Sequence, residues 1–148
     1  ISSEDAEQEL RNKIGEFVEP ARHLKMKCGY HNEIAVKNVC AVGLSAGFVE
    51  PLEATGITFT TSVVSDITGV LNSSGNVWGE QQKFLINKNF NFMSNEILAF
   101  VWAHYYFSNK EDTEFWKSFR SQSIQDLPES KKDMYNFTRN SKVFMLAI

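Results

Sequence analysis

The run from Gly43 to Ile57, Gly-Leu-Ser-Ala-Gly-Phe-Val-Glu-Pro-Leu-Glu-Ala-Thr-Gly-Ile, constrains the fold more than any other part of the chain. It sets glycines, two carboxylates and a proline between a strand-like segment and a long amphipathic one, a mixture that core packing alone does not ask for. Proline suits the first helical turn, where its missing N–H costs nothing, and an acidic residue there complements the positive end of the helix dipole. A helix is therefore expected to begin near Pro51, with its free backbone N–H groups around Glu53 to Gly56. Such groups form an anion site, and Gly56 lets an anion or a flat cofactor come close to the backbone. A carboxylate beside an anion site is an odd pairing unless chemistry uses both.

The rest of the chain is read around this stretch. Ser2 or Ser3 caps a helix carrying Ala6, Leu10, Ile14, Phe17 and Val18, which runs to about Val18 and is stopped by Pro20. Leu24 to Gly29 and Ile34 to Val42 read as two extended segments around a Tyr30-His31-Asn32 turn, a β-hairpin or a pair of neighbouring strands. From Pro51 to Leu71 the positions Leu52, Phe59, Val63, Val64, Ile67, Val70 and Leu71 suit a long helix. Thr58, Thr60, Thr61 and Thr68 weaken its intrinsic propensity, so packing has to hold it. Asn72 to Asn76 is a break. One helical stretch is expected from Trp78 to Ile86, and a second from Asn91–Asn95 to about Asn109. Asp112 or Thr113 then caps a short helix bearing Phe115, Trp116 and Phe119. Ser130 followed by Asp133 repeats a capping-box pattern ahead of Met134 and Phe137. No internal repeat or low-complexity linker is present.

Composition narrows the function classes. At 148 residues, with 43% hydrophobic and 22% charged residues, the chain suits one globular domain with a core. A net charge of −3 with scattered basic residues argues against a nucleic-acid surface. Cys28 and Cys40 fit neither a zinc motif nor a disulfide framework, and a reduced, cytoplasmic setting is the simpler reading. No apolar run reaches membrane-spanning length, so no membrane partner is expected. The first residue is Ile1 and the last five are Phe144-Met145-Leu146-Ala147-Ile148, ends that read as a piece of something longer.

The run Ala41 to Ile57, with Val36-Lys37-Asn38-Val39 ahead of it, closely resembles the catalytic-glutamate segment of the flavin-dependent tryptophan halogenases. His104-Tyr105 followed by Lys110-Glu111-Asp112-Thr113-Glu114-Phe115-Trp116 is similar to a recurrent segment of the same family's helical region. The resemblance covers roughly Glu4 to Phe137. It implies an α+β fold, mostly helical with a short hairpin or strand pair, belonging to a larger FAD-dependent, two-module α/β flavoprotein. On that reading residues 1–57 supply strands and a loop of the flavin and halide site, and residues 58–148 form a helical substrate-side region. The family's dinucleotide-binding Gly-x-Gly-x-x-Gly, its catalytic lysine and its Trp-x-Trp-x-Ile-Pro stretch do not occur in this chain, and the segment that grips the substrate's amino-acid end is expected past Ile148.

Carried over residue by residue, the resemblance implies that Glu53 is the catalytic carboxylate. It would stabilise the cationic intermediate of aromatic substitution and accept the displaced proton. Periodicity alone favours a plainer role for Glu53, a first-turn glutamate worth about half a kcal/mol against the helix dipole. Thr55 and Gly56 correspond to the halide-binding pair, which offers backbone N–H groups to chloride or bromide. Leu44 and Ile57 match flavin contacts but would otherwise read as core. The implied cofactors are reduced FAD and halide. The implied partners are an aromatic small molecule, with indoles such as tryptophan foremost, and a flavin reductase.

Other candidates carry less. Glu50 reads as structural, through capping or a salt bridge. His23, His31 and His104 share no metal-ligand spacing, so no metal is expected. Gly43-Leu44-Ser45-Ala46-Gly47 fits the nucleophile-elbow pattern, but that motif opens a helix at once, whereas Pro51 puts the helix start six residues later. Trp102, Tyr105, Tyr106, Phe107, Phe115 and Trp116 could line an indole pocket, although their helical spacing is more often that of core. Two alternatives stand beside the halogenase reading: an inactive, family-derived helical scaffold, and a flavin monooxygenase of the same ancestry.

Overall fold

The computed structural model describes residues 2–15, 21–25, 27–50 and 54–140. In chain order these form helix α1 (Ser3–Ile14), strands β1 (Gly29–Tyr30), β2 (Ala35–Val36) and β3 (Val39–Cys40), and a 3-10 turn at Gly43–Ser45. Strand β4 (Gly47–Phe48) follows, then helices α2 (Thr55–Ser73), α3 (Glu80–Tyr106), α4 (Glu114–Arg120) and α5 (Glu129–Asn140). The expected mixture of many helices and little strand is what is found.

Helix α1 starts as its sequence dictates. The Ser2 hydroxyl accepts from the Asp5 N–H, and the Asp5 carboxylate accepts from the Ser2 N–H. It stops at Ile14, short of the expected Val18, because Gly15 takes φ 85° and returns its N–H to the Arg11 carbonyl. The expected stop at Pro20 lies outside the described residues.

The strands pair differently from the expected hairpin. Ile34–Val42 folds back on itself, β2 antiparallel to β3, with Lys37 in the left-handed region at φ 54°. β1 pairs instead with β4, which adjoins the Gly43–Ser45 turn. Gly47 permits that pairing: a Cβ there would sit 2.5 Å from the Tyr30 Cβ and 2.9 Å from its Cα. Pairing with β1 therefore holds the start of the distinctive loop in place.

The two expected helices between Trp78 and Asn109 are one, the 27-residue α3. Its polar middle suggests a break in the sequence, yet those residues bind the strand layer. The Asn87 Oδ1 accepts from the Ile34 and Ala35 N–H groups, both at 2.8 Å, and its Nδ2 donates to the Ala35 carbonyl. Asn91 donates to the Asn32 carbonyl, and the Tyr30 hydroxyl donates to Asn95. Spacings of four put Asn87, Asn91 and Asn95 on one face. The Asn87 and Asn91 bonds pair backbone groups that the two-residue strands leave over.

Around that face lies one core, with Ile34, Ala35, Ala46, Phe59, Val63, Ile86 and Phe90 buried together. The Phe90 ring meets Phe59 at 4.9 Å and Tyr30 at 6.1 Å. Burial of this kind holds α2 despite its threonines, three of which turn their hydroxyls onto carbonyls of the preceding turn. A second cluster joins Trp102, Ala103 and Leu127 where α5 crosses the C-terminal half of α3. Helix α5 begins at Glu129, with the Lys131 and Lys132 N–H groups on the Pro128 carbonyl, so Ser130 lies inside the helix rather than at its cap. Helix α4 follows Thr113 as expected.

Candidate functional site

The loop after β4 and the first turn of α2 enclose a cleft of about 310 Å³. Leu44, Thr55, Gly56 and Ile57 all line it, with Phe48, Glu50 and Thr60 among their neighbours. Four of the five residues singled out in the sequence are thus brought together. The fifth, Glu53, lies outside the described residues, as do Pro51 and Leu52.

Helix α2 starts at Thr55, later than the expected start near Pro51. Ala54, immediately before it, is held at φ 54°, ψ 28°. A residue with a Cβ pays roughly 1–2 kcal/mol for the left-handed region, and such strain concentrates at functional sites. With this start, the first turn of α2 carries no acidic residue. The N-terminus of a helix carries the positive end of the dipole, which favours an anion at this end of α2.

The individual residues suit that role. Thr55 is buried, and its hydroxyl donates to the Glu50 carbonyl at 3.1 Å, tying the loop across its base. Among the described residues, nothing beyond its chain neighbours and its own helical backbone lies within 4 Å of where a Cβ on Gly56 would stand. Leu44 is 81% exposed and Ile57 71% exposed, so neither is core among the described residues. Two bared apolar side chains flanking a helix start suit the face of a flat ring. The residues present therefore fit one side of a flavin and halide site.

Among the described residues Glu50 makes neither the expected cap nor the expected salt bridge. Its Oε2 accepts a hydrogen bond of 2.7 Å from the Tyr105 hydroxyl. Burial, and then the Glu50 carboxylate, push the Tyr105 phenol up to about 12, with the Cys28 thiol adding a smaller effect. Since the raised group is stabilising while protonated, its contribution is complete below the ordinary value of 10.0 and is lost as pH rises through about 12. Urea unfolding should therefore weaken more steeply across that alkaline window for the parent chain than for Tyr105→Phe. Equal pH slopes would mean that the hydroxyl gains nothing from folding.

The rejected candidates have ordinary partners. The Ser45 hydroxyl donates to the Val42 carbonyl and accepts from the Val42 N–H, closing its own turn. His23 pairs with Glu7 at 2.8 Å, and His104 bonds the Phe100 carbonyl at 2.9 Å. The Arg11 and His23 side chains hold the Glu7 carboxyl below its usual range. Among the described residues no group of three or more His, Cys, Asp or Glu could hold a metal ion. No described helix is long and apolar enough to cross a membrane. Of the aromatic residues, Tyr105 packs with Phe115, Trp116 and Phe119, while Trp102, Tyr106 and Phe107 belong to the cluster against α5. These rings pack on one another, and none of the six lines the cleft. The Glu50–Tyr105 pair, 55 positions apart, has no signal in local sequence pattern.

The chain has matches among known proteins. The tryptophan halogenase family model matches residues 1–145. The 7-chloro-L-tryptophan 6-halogenase KtzR of Kutzneria sp. (strain 744) is 31% identical over 128 residues, 85% of this chain and 24% of that protein. The tryptophan 6-halogenase SttH of Streptomyces toxytricini is 32% identical over 127 residues, 84% of this chain and 24% of that protein. Among solved structures, a tryptophan C-6 flavin-dependent halogenase (chlorinase) from taromycin biosynthesis superposes with a TM-score of 0.78 at 31% identity, covering 93% of this chain and 27% of that one. The chain thus spans about a quarter of the length of the relatives it matches.

Proposed function

Because the chain belongs to the tryptophan halogenase family, we propose that it supplies the halide and carboxylate wall of a flavin-dependent halogenase acting on an electron-rich ring such as the indole of tryptophan. The observation that carries this reading is that Leu44, Thr55, Gly56 and Ile57 share one cleft at the start of α2.

Reduced FAD, when bound and supplied with oxygen, would provide the oxidising equivalent that makes the halogen electrophilic. The protein groups have narrower tasks. The first-turn N–H groups of Thr55 and Gly56 would hold chloride or bromide, because the N-terminal end of a helix dipole favours an anion. Leu44 and Ile57 would cover the flavin ring and keep water from the halide. Glu53 would face the arene, where its negative charge stabilises the ring cation and its oxygen takes the displaced proton. Residues 1–57 would thus serve the flavin and halide, and residues 58–148 the substrate side. A flavin reductase would supply the reduced cofactor.

The test is made in a complete enzyme that joins these residues to a flavin-binding part. Reduced FAD, oxygen, halide and an indole substrate are supplied, and the products are weighed by mass spectrometry. Replacement of one ring hydrogen by the supplied halogen, lost when halide is omitted, is the expected outcome. Oxygenation that does not depend on halide would replace this reading with a monooxygenase. No turnover, with stable folding free of flavin, would replace it with a scaffold.

A further inference from the structure

Two hydrogen bonds, one from α2 and one from α3, meet at Glu50, on the N-terminal side of the proposed site. Its carbonyl accepts from the Thr55 hydroxyl at the first position of α2, and its carboxylate accepts from the Tyr105 hydroxyl near the end of α3. Residues 51–53 lie between Glu50 and Thr55 in sequence. We propose that Tyr105 is a positioning residue, holding Glu50 so that the Thr55–Gly56 end of α2 keeps the geometry that binds halide; this rests on the function proposed above.

Three observations carry it. First, the Tyr105 ring is confined. Phe119 stacks on it at 5.0 Å, Phe115 meets it edge-on at 5.6 Å, and Trp116 lies at 5.5 Å. A ring boxed in this way delivers its hydroxyl to one place, with little rotamer freedom left to lose. Second, the box is itself anchored. Arg120, the last residue of α4, donates from Nε and Nη2 to the Ser108 carbonyl at 3.1 and 2.7 Å, and pairs with Glu111. Helix α4 is therefore latched to the segment that follows Tyr105. Third, a neutral phenol facing a carboxylate makes a charge-assisted bond, stronger than a bond between two neutral groups. With the phenol pushed up to about 12, it stays a donor at every pH at which a protein of this kind works.

The strained Ala54 gives the attachment a purpose. A left-handed residue persists only when its surroundings over-determine it. The Glu50 node lies four positions ahead of Ala54, and Thr55 follows it directly. Releasing the node should let the start of α2 relax, scattering N–H groups that must point at one ion.

The variants are Tyr105→Phe, which keeps the ring and removes only the oxygen, and Glu50→Gln, which keeps an acceptor oxygen. In the complete enzyme, halide and arene are varied separately. Tyr105→Phe should raise the KM for chloride about tenfold, the size of one lost hydrogen bond to a charged group, and leave the arene KM unchanged. Glu50→Gln should fall between parent and Tyr105→Phe, and Glu50→Ala should match Tyr105→Phe. Combining Tyr105→Phe with Glu50→Ala should cost no more than either alone. A parental chloride KM in Tyr105→Phe would overturn the proposal. So would equal losses in both KM values with a lowered Tm, which would reduce Tyr105 to a packing residue. The underlying site reading fails separately: Glu53→Gln with full halogenation would remove that reading whatever Tyr105→Phe does.

Discussion

Exchanging Glu53 for Gln in the complete enzyme is expected to lower kcat for halogenation by about 10²- to 10⁴-fold, the range of a lost general base. The exchange is nearly isosteric, so what it removes is the charge and the basic oxygen. Electrophilic substitution passes through a ring cation that must then shed a proton, and a carboxamide neither offsets the cation nor accepts the proton well. Binding of FAD and of halide should survive, because Thr55 and Gly56 would hold the ion through backbone donors. The loss should therefore fall on kcat, with KM for halide unchanged, the pattern of an interaction made in the transition state. Single-turnover halogenation, read beside flavin binding by absorbance, checks this. Parental activity would take Glu53 out of the mechanism.

The second large effect concerns the fold. Phe90→Ala should destabilise the chain by about 3–5 kcal/mol, the usual cost of emptying a buried phenylalanine site. Phe90 is 1% exposed and contacts rings from two other parts of the chain, Tyr30 of β1 and Phe59 of α2. It joins the strand layer to both long helices, and no single neighbour can collapse into its space without leaving another. Natural domains hold about 5–15 kcal/mol in reserve, so the variant sits near the edge of folding. Urea unfolding should show a lower midpoint with an unchanged slope. A midpoint close to the parent's would mean that the strands and α2 do not share this core.

Legibility differed between the local and the distant. The Ser2–Asp5 cap, the break after Ser73 and the short helix after Thr113 were readable because each depends on residues within a few positions of itself. Errors arose where a remote partner overrode local preference. The asparagines of α3 look like a helix break, but Asn87 and Asn91 spend their amides on the strand layer. The strand after Ile34 looked like half of a hairpin with the preceding segment. It turns back on itself, because Gly47 claims Tyr30 as the partner of β4. At the site, Leu44 and Ile57 could be chosen only by resemblance, since pattern alone assigns exposed leucine and isoleucine to a core.

The sequence by itself determined the make-up of the Gly43–Ile57 segment, a helix start with carboxylates and glycines close by, although it put that start near Pro51 and the structure puts it at Thr55. That make-up is a property of residue types, and it holds wherever the segment is placed. Only the tertiary structure decided that Leu44 and Ile57 share a cleft with Thr55 and Gly56, that Ala54 is held left-handed, and that Tyr105 reaches Glu50 across 55 positions. Contacts at that separation have no period or spacing to announce them. They exist because α3 packs against both α2 and the strand layer, and that packing is a property of the whole chain.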